Sequence, residues 1–239
     1  MGVFNISRQL AAARKRLRQF ADRERAAFSL RFFKTGPGEY AEGDRFLGLR
    51  VPDLRKVAGE FRSLSLAGLR ELLASKWHEE RLLALVILTR QYPRASFSER
   101  DAIYRLYLAS TARINNWDLV DVSAAQIVGA HLIDRSRAPL RRLAKSRSVW
   151  ERRIAIIATQ QFIRAGEFED TLAIVKSLLS DSHDLIHKAA GWMLREVGKR
   201  DRSALEKFLN RNAARMPRTM LRYAIERFPP ALRKKYLAA

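Results

Sequence analysis

The sequence of 239 residues contains no cysteine and only four histidines. The lack of cysteine excludes disulfides, thiolate metal sites and catalysis by a thiol nucleophile. No stretch approaches the run of about 18 apolar residues that is typical of a transmembrane helix, and the first residues lack the apolar core of a signal peptide. We therefore expect a cytoplasmic protein without a membrane partner, an expectation that depends only on absences.

Acidic residues are also scarce relative to basic ones. The chain holds 46 Lys and Arg against 25 Asp and Glu, which gives a formal net charge of +21. Because 47% of the residues are hydrophobic, this charge belongs to a folded chain rather than a disordered one. Such an excess on a folded domain is typical of proteins that bind a polyanion. Nucleic acid is the first candidate partner, and an anionic membrane surface is the second.

Glycine and proline are few, and four of the 11 glycines and two of the seven prolines fall between Phe33 and Val57. Their spacing predicts a loop or a short hairpin, followed by a helix whose first turn contains Pro52. The Gly-Pro-Gly string is not a phosphate loop, since no strand precedes it and the Lys-Ser/Thr pair is absent. We expect a connector whose basic flanks, Lys34, Arg45 and Arg50, contact the backbone of a bound duplex.

The rest of the sequence is predicted to be helical almost throughout, because apolar residues recur with a period near 3.6. Longer helices are predicted to begin near His78, Asn116, Val149, Ser182 and Pro217, at separations of 38, 33, 33 and 35 residues. Shorter helices, for example SERDAIYRLYLAS and RSALEKFLNRN, lie between them. This period predicts an all-α superhelical solenoid of HEAT-like two-helix repeats, with a concave basic groove and a single domain over residues 1–239. An irregular helical bundle is the alternative.

Several of the longer helices carry aromatic and charged residues that an amphipathic core helix does not need. These candidates for a groove are Trp117, Asp118, Asp121, Arg152, Arg153, Lys188, Trp192, Arg195 and Arg222. Side chains three or four residues apart share a helix face, so Trp117 and Asp121 are predicted to point the same way. Basic residues would hold phosphates, and aromatic rings would stack on sugars or bases. In the plainer interpretation the tryptophans belong to the core and the arginines coat a solvated face.

Other catalytic motifs are missing or incomplete. His183 and His187 are four residues apart on one predicted helix, but Asp184 stands where a zincin needs glutamate, and a third ligand is missing. Neither a nucleophile elbow nor the set of kinase motifs is present. We therefore predict neither a metal site nor a cofactor.

Four stretches together resemble the AlkD-type DNA alkylation-repair glycosylases: FFKTGPGEYAEGDRFLGLRVPDLRKV, NNWDLVDVSA, VWERRIAI and KAAGWMLREVGK. The resemblance spans about residues 25 to 228 and implies an all-helical protein of HEAT-like repeats. It also implies that Asp121 is the catalytic aspartate, that Trp117 and Trp192 face the lesion and that Arg153 is a groove arginine. The family includes non-catalytic relatives that bind unusual or branched DNA.

The implied chemistry explains an acid beside an indole in so basic a chain. A purine alkylated at N3 or N7 is already cationic and leaves without a general acid. Asp121 would stabilise the positive charge that develops on the deoxyribose and would orient water. Asp118, which follows a cap at Asn115 or Asn116, is expected to interact favourably with the helix dipole. The resemblance also implies that the lesion stays in the duplex.

Three functions remain open at this point. The first is a base excision repair glycosylase that acts as a monomer on double-stranded DNA with alkylated bases and is associated with the nucleoid when bound. The second is a non-catalytic binder of damaged or branched DNA, against which the complete set of Asp121, Trp117, Trp192 and Arg153 argues. The third is a HEAT-type protein scaffold, against which the charge of +21 argues unless its partner is acidic.

Overall fold

The computed structural model describes residues 2–238, with side chains described from residue 7 onward. Within these residues the regular structure is helical, and the one strand-like feature is an isolated bridge between Arg45 and Trp77. The predicted all-helical class is confirmed. In the same part of the chain, no helix combines the length and apolar character needed to cross a bilayer.

The chain forms two compact units, Met1–Ser123 and Ala124–Ala239. The helices of the first unit are α1 (Gly2–Arg18), α2 (Arg23–Phe32), α3 (Val51–Glu60), α4 (Leu66–Leu73), α5 (His78–Gln91), α6 (Phe97–Ala109) and α7 (Trp117–Ala124, whose last residue is in the second unit). The prediction of one continuous domain stays a prediction.

Helix α5 is the centre of the first unit. It packs against both α3 and α4, and α1 packs against the same two helices. Every residue of α5 from His78 to Leu88 is buried, including the four polar residues of its first turn. A helix surrounded on all sides in this way is apolar all round in most proteins. The buried charges at its start therefore need partners, and these come from α1, from the loop before α3 and from α7.

The second unit begins with a π-helical turn, Ala125–Gly129, and then repeats pairs of helices. Its helices are α8 (Ala130–Leu132), α9 (Ala138–Leu143), α10 (Val149–Ala158), α11 (Gln160–Arg164), α12 (Glu169–Ser177), α13 (Asp184–Arg200), α14 (Arg202–Asn212), α15 (Arg218–Ala224) and α16 (Pro230–Ala238). Helices α10, α13 and α15 pack side by side, and α9, α12 and α14 accompany them. Gly191 permits the close contact of α13 with α15, since a Cβ there would lie 2.5 Å from the carbonyl oxygen of Met220.

The predicted helix starts agree with the structure. The longer helices begin at His78, Trp117, Val149, Asp184 and Arg218, each within two residues of its predicted position. The shorter predicted helices correspond to α6, α9, α12 and α14. The prediction of a two-helix repeat with this period is therefore confirmed.

The glycine-rich segment, defined here as residues 33–50, is a loop rather than a hairpin. Its one bridge pairs Arg45 with Trp77, outside the segment, and the backbone N–H of His78 donates to the Arg45 carbonyl oxygen over 2.8 Å. The buried carboxylate of Glu79 accepts hydrogen bonds from the backbone N–H groups of Leu47 and Gly48 over 2.9 and 2.8 Å. The start of α5 therefore holds this loop in place, while the predicted phosphate contacts Lys34, Arg45 and Arg50 are exposed at its surface.

Candidate nucleic-acid interface

Helix α7 carries the carboxylate and the indole that the sequence singles out. It begins directly after Asn116, whose side-chain oxygen accepts a hydrogen bond from the Trp117 N–H over 2.8 Å. Leu119 and Val120 are fully buried and anchor the helix in its unit. Trp117 and Asp121, one turn apart, are each partly exposed.

The indole of Trp117 has a fixed support. The ring of Phe33 stacks on it with centroids 5.4 Å apart and an interplanar angle of 29°. Phe32 meets the same indole edge-on at 6.0 Å. Both phenylalanines lie where α2 passes into the glycine-rich segment, so this junction contacts the indole through two rings.

Beneath Asp121 lies a buried phenol. The hydroxyl of Tyr107 is 3.0 Å from the Ser123 Oγ, which itself donates to the Leu119 carbonyl oxygen. Because serine has one hydroxyl proton, Tyr107 is the donor in this pair. Burial raises the pKa of Tyr107 and the negative charge of Asp121 adds to this effect, against the hydrogen bond to Ser123. Tyr107 is therefore neutral and fixes the turn of α7 that contains Asp121.

Asp118 lies in the first turn of α7, where an acid was predicted to favour the helix dipole, but it has a stronger partner. Its Oδ2 lies 2.8 Å from Nε2 of His78, which is only 2% exposed. The other ring nitrogen, Nδ1, lies 3.4 Å from Oδ2 of Asp44 in the glycine-rich segment. One imidazole therefore connects α5, α7 and that segment.

The two carboxylates that face the ring of His78 favour its cationic form. Ionised carboxylates accept hydrogen bonds but cannot donate them, so each ring nitrogen facing one must carry a proton. Burial alone would lower the pKa of His78, but the charge and hydrogen bond of Asp118, with the hydrogen bond of Asp44, outweigh it and raise that pKa to about 9. An imidazolium is thus the stable form near neutral pH.

Asp44 has two further partners. Both of its oxygens accept from the Arg81 guanidinium over 2.8 Å, and Oδ1 also accepts from the Asn115 amide over 3.0 Å. Burial opposes ionisation of Asp44, but the hydrogen bonds from His78 and Asn115 and the charge of Arg81 prevail, so its pKa is lowered. The sequence patterns did not indicate His78, Asp44 and Arg81 as parts of a site. The available signal was the string HEER, four polar residues at the start of an apolar helix.

In the second unit, two adjacent arginines of α10 are engaged in internal contacts. Arg153 is 5% exposed and donates to the Leu185 carbonyl oxygen over 2.6 Å. Arg152 pairs with Asp181 over 2.6 Å and also donates to the carbonyl oxygens of Ser146 and Arg147. A phosphate contact by either arginine would have to compete with these partners.

The predicted basic residues of α13 lie in short ion pairs. Lys188 is 2.7 Å from Asp184, and Arg195 pairs with Glu226, beyond α15. The indole N–H of Trp192 donates to Glu196 over 3.2 Å, which fixes the ring on the same helix. On the neighbouring α15, Arg222 is exposed.

The two histidines considered as a metal pair have other roles. The Nδ1 atom of His183 accepts from the Leu185 N–H over 3.2 Å and caps α13, and burial lowers the pKa of this imidazole. His187 contacts the Asp181 carbonyl oxygen through Nε2. Over the described part of the chain, no cluster of three or more His, Asp or Glu side chains is arranged to hold a metal ion.

The predicted site residues thus fall into two sets. Trp117 and Asp121 share one face of α7 in the first unit, together with Phe33 and Tyr107. Arg152, Arg153, Lys188, Trp192, Arg195 and Arg222 lie on the three adjacent helices of the second unit. Their roles toward DNA stay predictions.

The chain matches a known family over most of its length. The model of a family described as DNA alkylation repair enzyme matches residues 13–228. Among solved structures, the chain is similar to a predicted DNA alkylation repair enzyme from Enterococcus faecalis, with a TM-score of 0.69 and 16% sequence identity, over 88% of this chain and 97% of that one. At that identity the likeness supports the fold alone. No curated protein matches this sequence.

Proposed function

Because the chain belongs to the family of DNA alkylation repair enzymes, we propose that it is a DNA glycosylase for positively charged N3- or N7-alkylated purines in duplex DNA. The observation that carries the proposal is the shared face of α7. There a partly exposed carboxylate, Asp121, lies one turn from an indole, Trp117, that Phe33 supports from below. An acid and an indole held in this way suit a cationic nucleotide.

The reaction breaks the bond between C1′ of the deoxyribose and the purine nitrogen. The bonding electron pair moves to the base and neutralises its positive charge, so the base leaves without protonation. Positive charge develops on the sugar, where the Asp121 carboxylate stabilises it. Water then adds to C1′ and loses a proton, which yields an abasic site and the free base. The proposed reaction requires neither a metal nor a cofactor.

In this proposal Asp121 and Trp117 provide the chemistry, and residues of the second unit bind the DNA. Trp192 presents its ring to the lesion, and the indoles contribute roughly 0.5 to 2 kcal/mol each toward a cation. Exposed Arg222 is the simplest phosphate contact, while Lys188 and Arg195 would exchange carboxylate partners for phosphates. Arg153 and Arg152 support the start of α13 and the loop before it, in addition to the DNA contacts predicted for them.

The test is single-turnover release of bases from otherwise identical duplexes. The cationic 7-methylguanine and 3-methyladenine should be released. The neutral 1,N6-ethenoadenine, hypoxanthine and uracil should be retained, because their departure leaves an anion that a carboxylate and an indole cannot protonate. Efficient release of uracil or hypoxanthine would contradict the mechanism. Tight DNA binding without release of any of the five bases would favour a non-catalytic binder of damaged or branched DNA.

A further inference from the structure

The polar side chains around buried His78 form one connected group, in which Asp44 and Arg81 are buried as well. This group, the His78 cluster, consists of His78, Asp44, Asp118, Arg81 and Asn115. Its members come from α5, from the glycine-rich segment, from the first turn of α7 and from the residues just before that helix. These elements are far apart in sequence, so the cluster sets their relative positions within the first unit.

A layer of aromatic rings connects the same imidazole to the proposed site. Phe46 stacks on His78 with centroids 4.6 Å apart, and Phe33 lies 5.1 Å from His78. Phe33 also stacks on Trp117 and on Phe46. The imidazolium and the indole therefore share a ring partner, and an imidazolium above π-faces gains cation–π attraction.

We propose that His78, as an imidazolium held between Asp44 and Asp118, is a positioning residue that sets the orientation of Trp117 and Asp121 for base release. The proposal rests on the proposed glycosylase function. His78 is buried and acts through α7 and Phe33, without touching the DNA.

Stability alone is a poor explanation for this cluster. Desolvation offsets much of the attraction between buried charges, and well-packed apolar residues often stabilise as much. A charged donor between two acceptors does, however, favour one relative orientation of the elements that carry them. Asp118 ties down the first turn of α7, one turn before Asp121, while Asp44 brings in the segment that supports the indole. Without these contacts, buried Leu119 and Val120 would restrict the rotation of this short helix less.

The charged groups facing His78 come from each element packed on it. Asp118 faces it from α7 and Asp44 from the glycine-rich segment, and both favour the imidazolium. Arg81, from α5 itself, opposes it. Above a pH of about 9 the imidazole becomes neutral and loses one of its two hydrogen-bond donors. Positioning of α7 is then expected to weaken.

The experiment compares His78→Gln with Glu80→Gln. Glutamine can donate to one carboxylate but carries no charge. Glu80 is the matched control, since it is a buried charged residue two positions away on α5 that pairs with Arg14 and Arg18 of α1 rather than with α7. Melting temperature, duplex affinity, single-turnover release of 7-methylguanine and amide hydrogen exchange of residues 120–123 are measured for each, at a temperature where all are folded.

We expect His78→Gln to slow release on the order of tenfold or more, as small displacements of reacting groups do, with duplex affinity unchanged. Its α7 amides should exchange faster than those of the wild type. Glu80→Gln should lower the melting temperature but leave release and α7 exchange unchanged. Wild-type release should decline above a pH of about 9, whereas release by His78→Gln should show no such decline.

Equal effects of the two substitutions on release and on α7 exchange would overturn the proposal, because His78 would then contribute only to stability. If His78→Gln does not fold, Asp118→Asn replaces it, since asparagine keeps the acceptor and loses the charge. If the wild type releases no base, the glycosylase proposal fails, and α7 exchange still decides whether His78 positions the helix.

Discussion

Nε2 of His78 lies 2.8 Å from Oδ2 of Asp118, so the first residue of α5 is bonded to the first turn of α7, 40 residues later. The imidazole is nearly removed from water, the Asp118 side chain is 20% exposed, and the contacts continue to Asp44 on the far side of the ring. Because the histidine is buried, this ion pair makes the stability of the protein depend on pH in a window set by the histidine.

The pKa of His78 is raised to about 9 in the folded protein, from 6.5 when exposed. The stabilisation that the His78 charge contributes is therefore complete below a pH of about 6.5 and is lost as the pH rises through about 9. A difference of that size corresponds to roughly 3 kcal/mol of unfolding free energy. Urea unfolding at pH 6 and at pH 10 should show this loss in the wild type. Should His78→Gln lose as much over the same range, the loss would belong to other groups.

Asp121→Asn keeps the size of the side chain and removes its charge. Base release should fall by a factor on the order of 10² or more, as when an electrostatic contact to a transition state is lost. Duplex affinity should hold or increase, because a negative charge near phosphates is removed. Asp134→Asn is the control, since it removes an equal charge from an exposed position on the second unit. Unchanged release by Asp121→Asn would show that the catalytic assignment is wrong.

Affinity for duplex DNA should fall steeply with salt, with a log–log slope of about −0.9 for each phosphate neutralised. Arg222→Ala should flatten this slope by about one contact, because its exposed side chain on α15 is proposed to bind a phosphate. Arg105→Ala, an exposed arginine of α6 paired with Asp101, should leave the slope unchanged. Titrations at several salt concentrations measure both slopes. A wild-type slope near zero would rule out phosphate binding by this protein.

Gly48→Ala should destabilise the first unit more than Gly38→Ala does. Both glycines have positive φ, +83° and +74°, so a side chain at either position costs roughly 1 kcal/mol or more. At Gly48 the new Cβ would also lie 2.1 Å from the Asp22 carbonyl oxygen, whereas at Gly38 nothing lies within 4 Å. Thermal unfolding compares the two variants. Equal shifts in melting temperature would mean that the loop moves freely away from α2.

The repeating helices follow from local information. Apolar residues at helical spacing and brief turn signals place the starts of α5, α10 and α15 correctly, because helix formation depends mainly on neighbours within a few turns. Helical spacing likewise places Trp117 and Asp121 on one face, because four residues in a helix make about one turn whatever surrounds them.

Tertiary contacts decide which charges are buried and what they face. A run of charged residues such as HEER normally predicts a solvated surface, yet His78, Glu79 and Arg81 are all enclosed. The partners of His78 are remote in sequence, since Asp44 is 34 residues away and Asp118 is 40 residues away. No periodicity relates these positions. Tertiary contacts likewise decide which groups the Arg152 and Arg153 side chains contact. A long side chain on a helix reaches several neighbours, and only the packed structure shows that these two guanidinium groups bond to Asp181 and to the Leu185 carbonyl oxygen.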